Sequence, residues 1–149
     1  VLGKELGDVL ASQTGHGLAF TIHANTVEEF NLRFRMLLRM YYGEQASEDL
    51  MNMTIRELWS LLFLNIREDR RILDQVYMVD LRNGNMVKVY QHPFDFNQDE
   101  FVRQIALRTN YDMETIERDL LDRIEFLTLN MEKGLEEIYE ELIKWYNTR

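Results

Sequence analysis

The chain has 149 residues, a net charge of −9, 46% hydrophobic and 29% charged residues, and no cysteine. This length and balance are typical of a soluble globular protein with a buried core, and the lack of thiols excludes disulfides and thiolate zinc sites and fits a cytoplasmic setting. The acidic excess opposes binding to nucleic acid, which depends on lysine and arginine neutralising phosphates. Without an apolar run of about 18 residues, or a basic segment leading into an apolar one, we expect neither a membrane span nor a signal peptide.

The N-terminal part of the chain predicts a helix, a strand and a longer helix. We predict a short helix over Lys4–Gln13 and a strand over Leu18–His23. Thr26 and Glu29 then form a capping box, in which a hydroxyl and a carboxylate satisfy free backbone amides at a helix start. Apolar residues recur at helical spacing after this box, and a glycine follows Tyr42, so we expect the helix to end there. Its apolar face comprises Phe30, Phe34, Leu37, Leu38 and Tyr41.

The middle of the chain is compatible with either a helix or a strand. We predict a helical turn over Ser47–Met53. Thr54 and Glu57 repeat the capping-box pattern, whereas Trp59–Leu64 is a short apolar run that suits a buried strand or a buried helix, which periodicity does not separate. We interpret Thr54–Ile66 as a turn of helix leading into a buried strand.

A β-hairpin is predicted further along the chain. Two strand-like runs, Ile72–Leu81 and Met86–Gln91, flank Asn83-Gly84. Asn-Gly accepts the positive φ angles of a tight hairpin turn. We therefore predict that this dipeptide sets the register of the two strands.

The single proline, Pro93, marks a boundary between an α/β part, residues 1–93, and a helical part, residues 94–149. We predict three helices in the second part, over Gln98–Thr109, Met113–Met131 and Leu135–Tyr146, with Gly134 separating the last two. One face of the middle helix is apolar (Met113, Ile116, Leu120, Ile124, Leu127 and Met131), and one side of the last helix is too (Ile138, Leu142, Trp145 and Tyr146).

Two histidines seven residues apart are the candidate functional residues. His16 lies in a Gly-His-Gly turn, where glycine leaves room for a ligand to approach, and His23 lies at the end of a short apolar run. An imidazole can donate a hydrogen bond to a phosphate oxygen. The alternatives are structural, with His16 bonded to loop backbone and His23 capping the following helix. A zinc site is also conceivable, but two histidines without a convincing third ligand argue weakly for metal.

The pattern from Thr14 to Thr26 resembles the His box of the secretion ATPases, the superfamily that drives type II and type IV secretion, type IV pili and archaeal filaments. Thr14, Gly15 and His16 match its first half, and Thr21, His23, Ala24 and Asn25 match its second half. Gly3-Lys4-Glu5 resembles the Gly-Lys-Glu that follows the Walker B strand of archaeal-type members. The Arg70-Arg71 pair before a strand, and the run from Asp112 to Tyr146 with its Lys-Gly break, resemble the late strand and helical tail of that branch, so the resemblance covers most of the chain.

The resemblance implies that the chain is the C-terminal part of a P-loop, RecA-like NTPase domain. The parent would be a hexameric ATPase at the cytoplasmic face of a membrane, binding ATP and Mg²⁺, contacting neighbouring subunits and a membrane platform protein without inserting into the bilayer. His16 and His23 would act on the nucleotide, with Thr14, Gly15, Gly17 and Thr21 beside them. Glu5 would be a carboxylate near magnesium or the attacking water. The structural alternative is that Glu5 is a favourable negative charge in the first turn of a helix.

The phosphate-binding loop of that family is missing. None of the seven glycines is followed by Lys-Ser or Lys-Thr, so the Gly-x-x-x-x-Gly-Lys-Ser/Thr loop that cradles phosphates is absent. We therefore expect this chain alone to hold no cofactor and not to hydrolyse ATP. The alternative function is a non-enzymatic, acidic, helical interaction module in which the histidines are structural.

Two charged clusters are candidate contact surfaces. Arg67, Arg70 and Arg71 could meet a neighbouring subunit or a phosphate, or could simply be solvated and paired with Glu68 and Asp69. The outer side of the last helix is acidic and suits a basic patch on a neighbouring subunit or platform protein. Its carboxylates come from Glu132, Glu136, Glu137, Glu140 and Glu141.

Overall fold

The computed structural model describes residues 19–148, which form four helices and one four-stranded antiparallel sheet. The chain divides into two compact units, residues 1–104 and 105–149. The mixed α and β content agrees with the predicted class, although all the strand pairs in the described sheet are antiparallel. The predicted helix over Lys4–Gln13 lies outside the described residues, and the predicted division after residue 93 stays a prediction.

Helix α1 spans Val27–Glu57 and is interrupted at Gly43, whose φ of 75° and ψ of 176° are not helical. The predicted stop at this glycine is therefore correct, but a second helical segment follows immediately. The two segments share one buried cluster, formed by Phe30, Phe34, Leu38 and Met51. Ion pairs from Arg39 to Glu44 (3.1 Å) and to Glu48 (3.3 Å) bridge the interruption.

The capping-box prediction was right at one end of α1 and wrong at the other. Thr26 is the N-cap, and its hydroxyl accepts the Glu29 N–H at 3.1 Å. Thr54 instead lies inside the last turns, where its carbonyl accepts the Leu58 N–H at 2.9 Å. The same sequence pattern gives no cap at Thr54 because the preceding residues are already helical.

Strand β1 (Ser60–Arg67) pairs with β2 (Arg70–Val79) through a two-residue turn, Glu68-Asp69. Both turn residues have positive φ, 50° and 60°, as a right-handed twisted hairpin requires of a two-residue loop. Helix followed by strand was the predicted interpretation, but the strand was predicted to be buried and is largely exposed. It is exposed because it forms the edge of the sheet, with β2 on one side only.

Strand β3 (Met86–Gln91) pairs with β2 and confirms the predicted hairpin. The connection is longer than a two-residue Asn-Gly turn: it spans residues 80–85, and Gly84 takes a positive φ of 74° whereas Asn83 does not. A two-residue strand β4 (Asp95–Phe96) completes the order β1-β2-β3-β4.

Helix α2 (Gln98–Arg108) follows β4, and α3 (Met113–Asn130) and α4 (Leu135–Asn147) form the second unit. All three agree with the predicted helices to within a residue at each end. The apolar face predicted for α3 is buried only in part. Ile116 is buried, but Ile124, Leu127 and Met131 are exposed, since the contact with α4 is centred on Phe126, whose ring lies 5.3 Å from that of Trp145.

Candidate functional site at the start of helix α1

An extended segment, residues 19–25, leads into helix α1 and carries the described half of the histidine pattern. Phe20, Ile22 and Ala24 are partly buried and pack against the α1 core, whereas Thr21 and His23 are exposed. The ring of Phe20 stacks on Phe34 at 6.1 Å. Thr21 and His23 therefore share the outer side of a segment whose inner side is anchored in the core.

This segment is not the strand predicted over Leu18–His23. Burial alternates from residue to residue as in a strand, but residues 19–24 form no ladder because no strand of the described sheet pairs with them. The alternation places Thr21 and His23 on one side, as a strand would. The sequence pattern thus predicted the common face of the two side chains correctly, whereas the strand predicted for these residues is absent from residues 19–23.

The N-cap of α1 is reinforced by polar groups. Glu29 Oε2 accepts hydrogen bonds from the Asn25 N–H at 2.8 Å and from Asn25 Nδ2 at 3.0 Å. Arg33 pairs with the same carboxylate at 2.6 Å. The hydrogen bond from the Asn25 backbone, with that from Arg33, lowers the pKa of Glu29. The carboxylate reaches the residue before the N-cap, and it holds the segment that carries His23 in a defined direction.

A surface cavity of about 320 Å³ lies between the start of α1 and the sheet. Its sheet side includes Lys88, whose ammonium lies 5.5 Å from the centre of the Tyr77 ring and donates to Gln91 Oε1 at 2.9 Å. Its helix side comprises residues 25–28, which begin two residues after His23. A cation and a helix N-terminus favour an anionic group, while Glu28 on the same wall disfavours one. Sequence reasoning missed this cavity, since Lys88 and residues 25–28 are far apart in the chain.

The other predicted site residues cannot be placed. Glu5, Thr14, Gly15, His16 and Gly17 lie outside the described residues. Within residues 19–148, no three histidine or carboxylate side chains come together in a way that could hold a metal ion. The zinc alternative, which needs His16, is untouched by this result.

The arginine cluster is arranged differently from the predicted pairing with neighbouring acids. Arg67 bonds to Asp74 across the β1–β2 pair at 2.9 Å, and Glu68 and Asp69 form the turn instead. Asp74 is buried, so Arg67 compensates a charge that would otherwise be buried in the sheet without a partner.

Asp80 is a charged residue that sequence reasoning overlooked. It is buried at the end of β2, where the Arg82 guanidinium binds both carboxylate oxygens, from Nε at 2.9 Å and from its terminal nitrogen at 2.6 Å. Asn83 Nδ2 donates at 3.2 Å and Gln104 contributes a further hydrogen bond. The Arg82 hydrogen bonds hold the pKa of Asp80 far below its ordinary range. The arrangement is satisfied internally and closes the β2–β3 loop, so we assign it to structure.

None of the described helices, taken over residues 19–148, combines the length and the apolar character needed to cross a membrane. Comparison of the sequence with models of known protein families, with curated proteins and with solved structures found no match.

Proposed function

We propose that this chain is the C-terminal portion of a hexameric ATPase that drives protein secretion or filament assembly. The observation that carries the proposal is the outward presentation of Thr21 and His23 from a segment anchored by Phe20 and the Asn25–Glu29 contacts. A hydroxyl and an imidazole on the same side of an anchored segment are suited to stabilising the charge of a phosphoryl group in transfer.

The order of the described elements supports the same proposal. A strand begins at Arg70-Arg71, where the resemblance expects the late strand. Further on, an acidic, arginine-containing helix is followed by Lys133-Gly134 and a final helix with aromatic residues. The resemblance predicts a strand and two helices in this order, and the agreement of the described elements with that order supports the proposal.

In this proposal ATP and Mg²⁺ bind to a longer polypeptide that supplies the phosphate-binding loop, and this chain contributes the His box. The chain by itself lacks the Gly-Lys-Ser/Thr loop, whose backbone amides and lysine provide most phosphate contacts. The ring of subunits and a membrane platform protein are the proposed partners, at the cytoplasmic face of the membrane.

The first test is the coding sequence upstream of Val1. An in-frame Gly-x-x-x-x-Gly-Lys-Ser/Thr loop followed by an acidic strand supports the motor. If those features are lacking, the proposal fails and the acidic interaction module becomes the better explanation.

The second test is ATP turnover by the longer polypeptide with His23→Ala. We expect a loss on the order of 100-fold, the usual cost of removing one donor to a charged transition state, with an unchanged melting temperature. His92→Ala is the matched control, because His92 lies in the β3–β4 turn and is not part of the motif. Equal turnover in wild type, His23→Ala and His92→Ala would return His23 to a structural role.

The interaction module is supported by one surface of the second unit. Helix α4 leaves Leu135, Tyr139 and Ile143 exposed, spaced four residues apart and flanked by glutamates. An exposed apolar stripe with an acidic border fits a basic, apolar partner surface. Retained binding of such a partner by the chain, together with no nucleotide turnover in any longer form, would favour this function.

A further inference from the structure

Among residues 19–148, no strand pairs with the outer edge of the eight-residue strand β1. In the sheet formed by the described residues, β1 and β4 are the two edge strands. Strand β4 has two residues, whereas β1 has eight. Of these two edge strands, β1 therefore presents the longer row of backbone donors and acceptors for pairing with another strand.

This edge lacks the features that usually protect an edge strand. From Ser60 to Ile66 there is no charged residue and no proline. The irregularity in the β1–β2 pairing adds its extra residue, Asp74, to β2, so β1 continues without an insertion. Natural edges are commonly blocked by lysine, proline or a bulge on the edge strand itself, and the β1 edge has none of these.

Apolar side chains follow one face of this strand. Leu62, Leu64 and Ile66 alternate along β1 and are 58%, 67% and 67% exposed. Leu73 lies directly opposite Leu64 on β2 and is 39% exposed. Together they form a contiguous apolar stripe at the margin of the sheet, the kind of surface that marks an interaction site.

We propose that the β1 edge pairs with the β1 edge of a second copy of this chain, antiparallel and centred on Leu64. The stripe is self-complementary, because this register sets Leu62 opposite Ile66 of the second copy and Leu64 opposite its counterpart. Each such cross-strand apolar contact stabilises a sheet. A two-fold axis through Leu64 keeps both stripes on the same face, so the interface is isologous.

The uncharged stretch of β1 offers an acidic or basic segment no opposite charge, which favours a second copy of the same neutral strand. Two chains that each carry −9 repel at long range, but residues 60–66 of both copies are uncharged, so the pairing brings no like charges into contact. This pairing does not rest on the proposed ATPase function, and it is separate from ring contacts, which join different surfaces of neighbouring subunits.

Cysteine cross-linking of the whole chain tests the register, since the chain has no cysteine of its own. Directly opposed residues in antiparallel strands have Cα atoms about 4.5–5.5 Å apart, within disulfide reach. We expect Leu64→Cys to form a covalent dimer on mild oxidation. Leu62→Cys alone should not, because its counterpart lies about 13 Å away, four residues along the strand. A mixture of Leu62→Cys and Ile66→Cys should cross-link.

The control for accidental collision is Leu32→Cys, a similarly exposed leucine on helix α1. Equal cross-linking of Leu32→Cys and Leu64→Cys would overturn the proposal, as would efficient cross-linking of Leu62→Cys alone.

Sedimentation tests the association without a cross-link. We expect wild type to shift from monomer to dimer with rising concentration, and Leu64→Lys to remain monomeric while Leu32→Lys behaves as wild type. Hydrogen exchange at β1 should slow in step with dimer formation. A monomer at all concentrations would overturn the proposal; if its β1 amides are also protected, a strand of the same polypeptide covers the edge instead. Neither readout involves nucleotide, so failure here is distinguishable from failure of the ATPase proposal.

Discussion

The β1–β2 and β2–β3 hairpins share strand β2 but differ in how far their apolar side chains are buried and in how their turns are closed. The β2–β3 hairpin buries Val79 and Val89 and closes its loop around Asp80, whose carboxylate is held by Arg82, Asn83 and Gln104. The β1–β2 hairpin closes on two non-glycine residues at positive φ and exposes its apolar side chains. The comparison separates a hairpin that is complete within the chain from one that offers a surface to a partner.

The largest expected effect is on the stability of the β2–β3 hairpin, whose loop closes around Asp80. Asp80→Ala should lower the melting temperature by on the order of 10 °C, because it removes the carboxylate that binds the Arg82 guanidinium and takes a hydrogen bond away from the buried Gln104 side chain. Thermal unfolding followed by circular dichroism measures this. Asp49→Ala, at an exposed position on α1, is the control and should change little. Similar melting temperatures for the two variants would show that the Asp80 contacts do not stabilise the loop.

The same carboxylate predicts a pH dependence. Its pKa is lowered in the folded state, first by the Arg82 hydrogen bonds, so its stabilising contribution is fully present above the unfolded pKa of about 3.9 and is lost as the pH falls through the folded value. The difference in stability between wild type and Asp80→Ala should therefore be constant from about pH 5 to pH 8 and should shrink only in acid below about pH 4. A difference that instead changed across neutral pH would point to another titrating group.

A smaller loss of stability is expected from substitutions of Gly84 in the β2–β3 loop. Gly84 has a φ of 74°, and a Cβ placed there meets nothing within 4 Å, so the cost of a side chain comes from backbone strain alone. Gly84→Val should lose about 1–3 kcal/mol of unfolding free energy, and Gly84→Asn less, since asparagine tolerates this conformation. Denaturant unfolding of both variants decides it. Equal losses would mean that crowding rather than backbone conformation limits the position.

The smallest expected effect is a gain in unfolding free energy from changes in the β1–β2 turn. Glu68→Asn combined with Asp69→Gly places the preferred residues of a two-residue turn at φ values of 50° and 60°. We expect a stabilisation of about 1 kcal/mol, the order of the strain that a non-glycine residue bears at positive φ. Denaturant unfolding at low protein concentration measures it without a contribution from association. A loss of stability would contradict the assignment of this turn.

Local signals predicted the structure well where the deciding interaction is local. Thr26 capped α1 as predicted because the hydroxyl and the amide it accepts are three residues apart. Gly134 separated the last two helices, and Asn83-Gly84 marked the β2–β3 connection. The candidate site was predicted less completely. The common side of Thr21 and His23 followed from residue alternation, but the cavity with Lys88 needs residues some sixty positions apart.

The amino-acid sequence by itself determined the Thr26 cap, the bounds of the last three helices to within a residue, and the absence of a phosphate-binding loop, because each depends on neighbouring residues or on composition. Tertiary structure decided that Trp59–Leu64, apolar enough for an interior strand, contributes to an exposed edge. It also decided that Arg67 pairs with Asp74, and that Asp80 is buried with Arg82 and Gln104. Burial and pairing of this kind depend on which segment, distant in the chain, packs beside a residue. The local sequence pattern does not specify that segment.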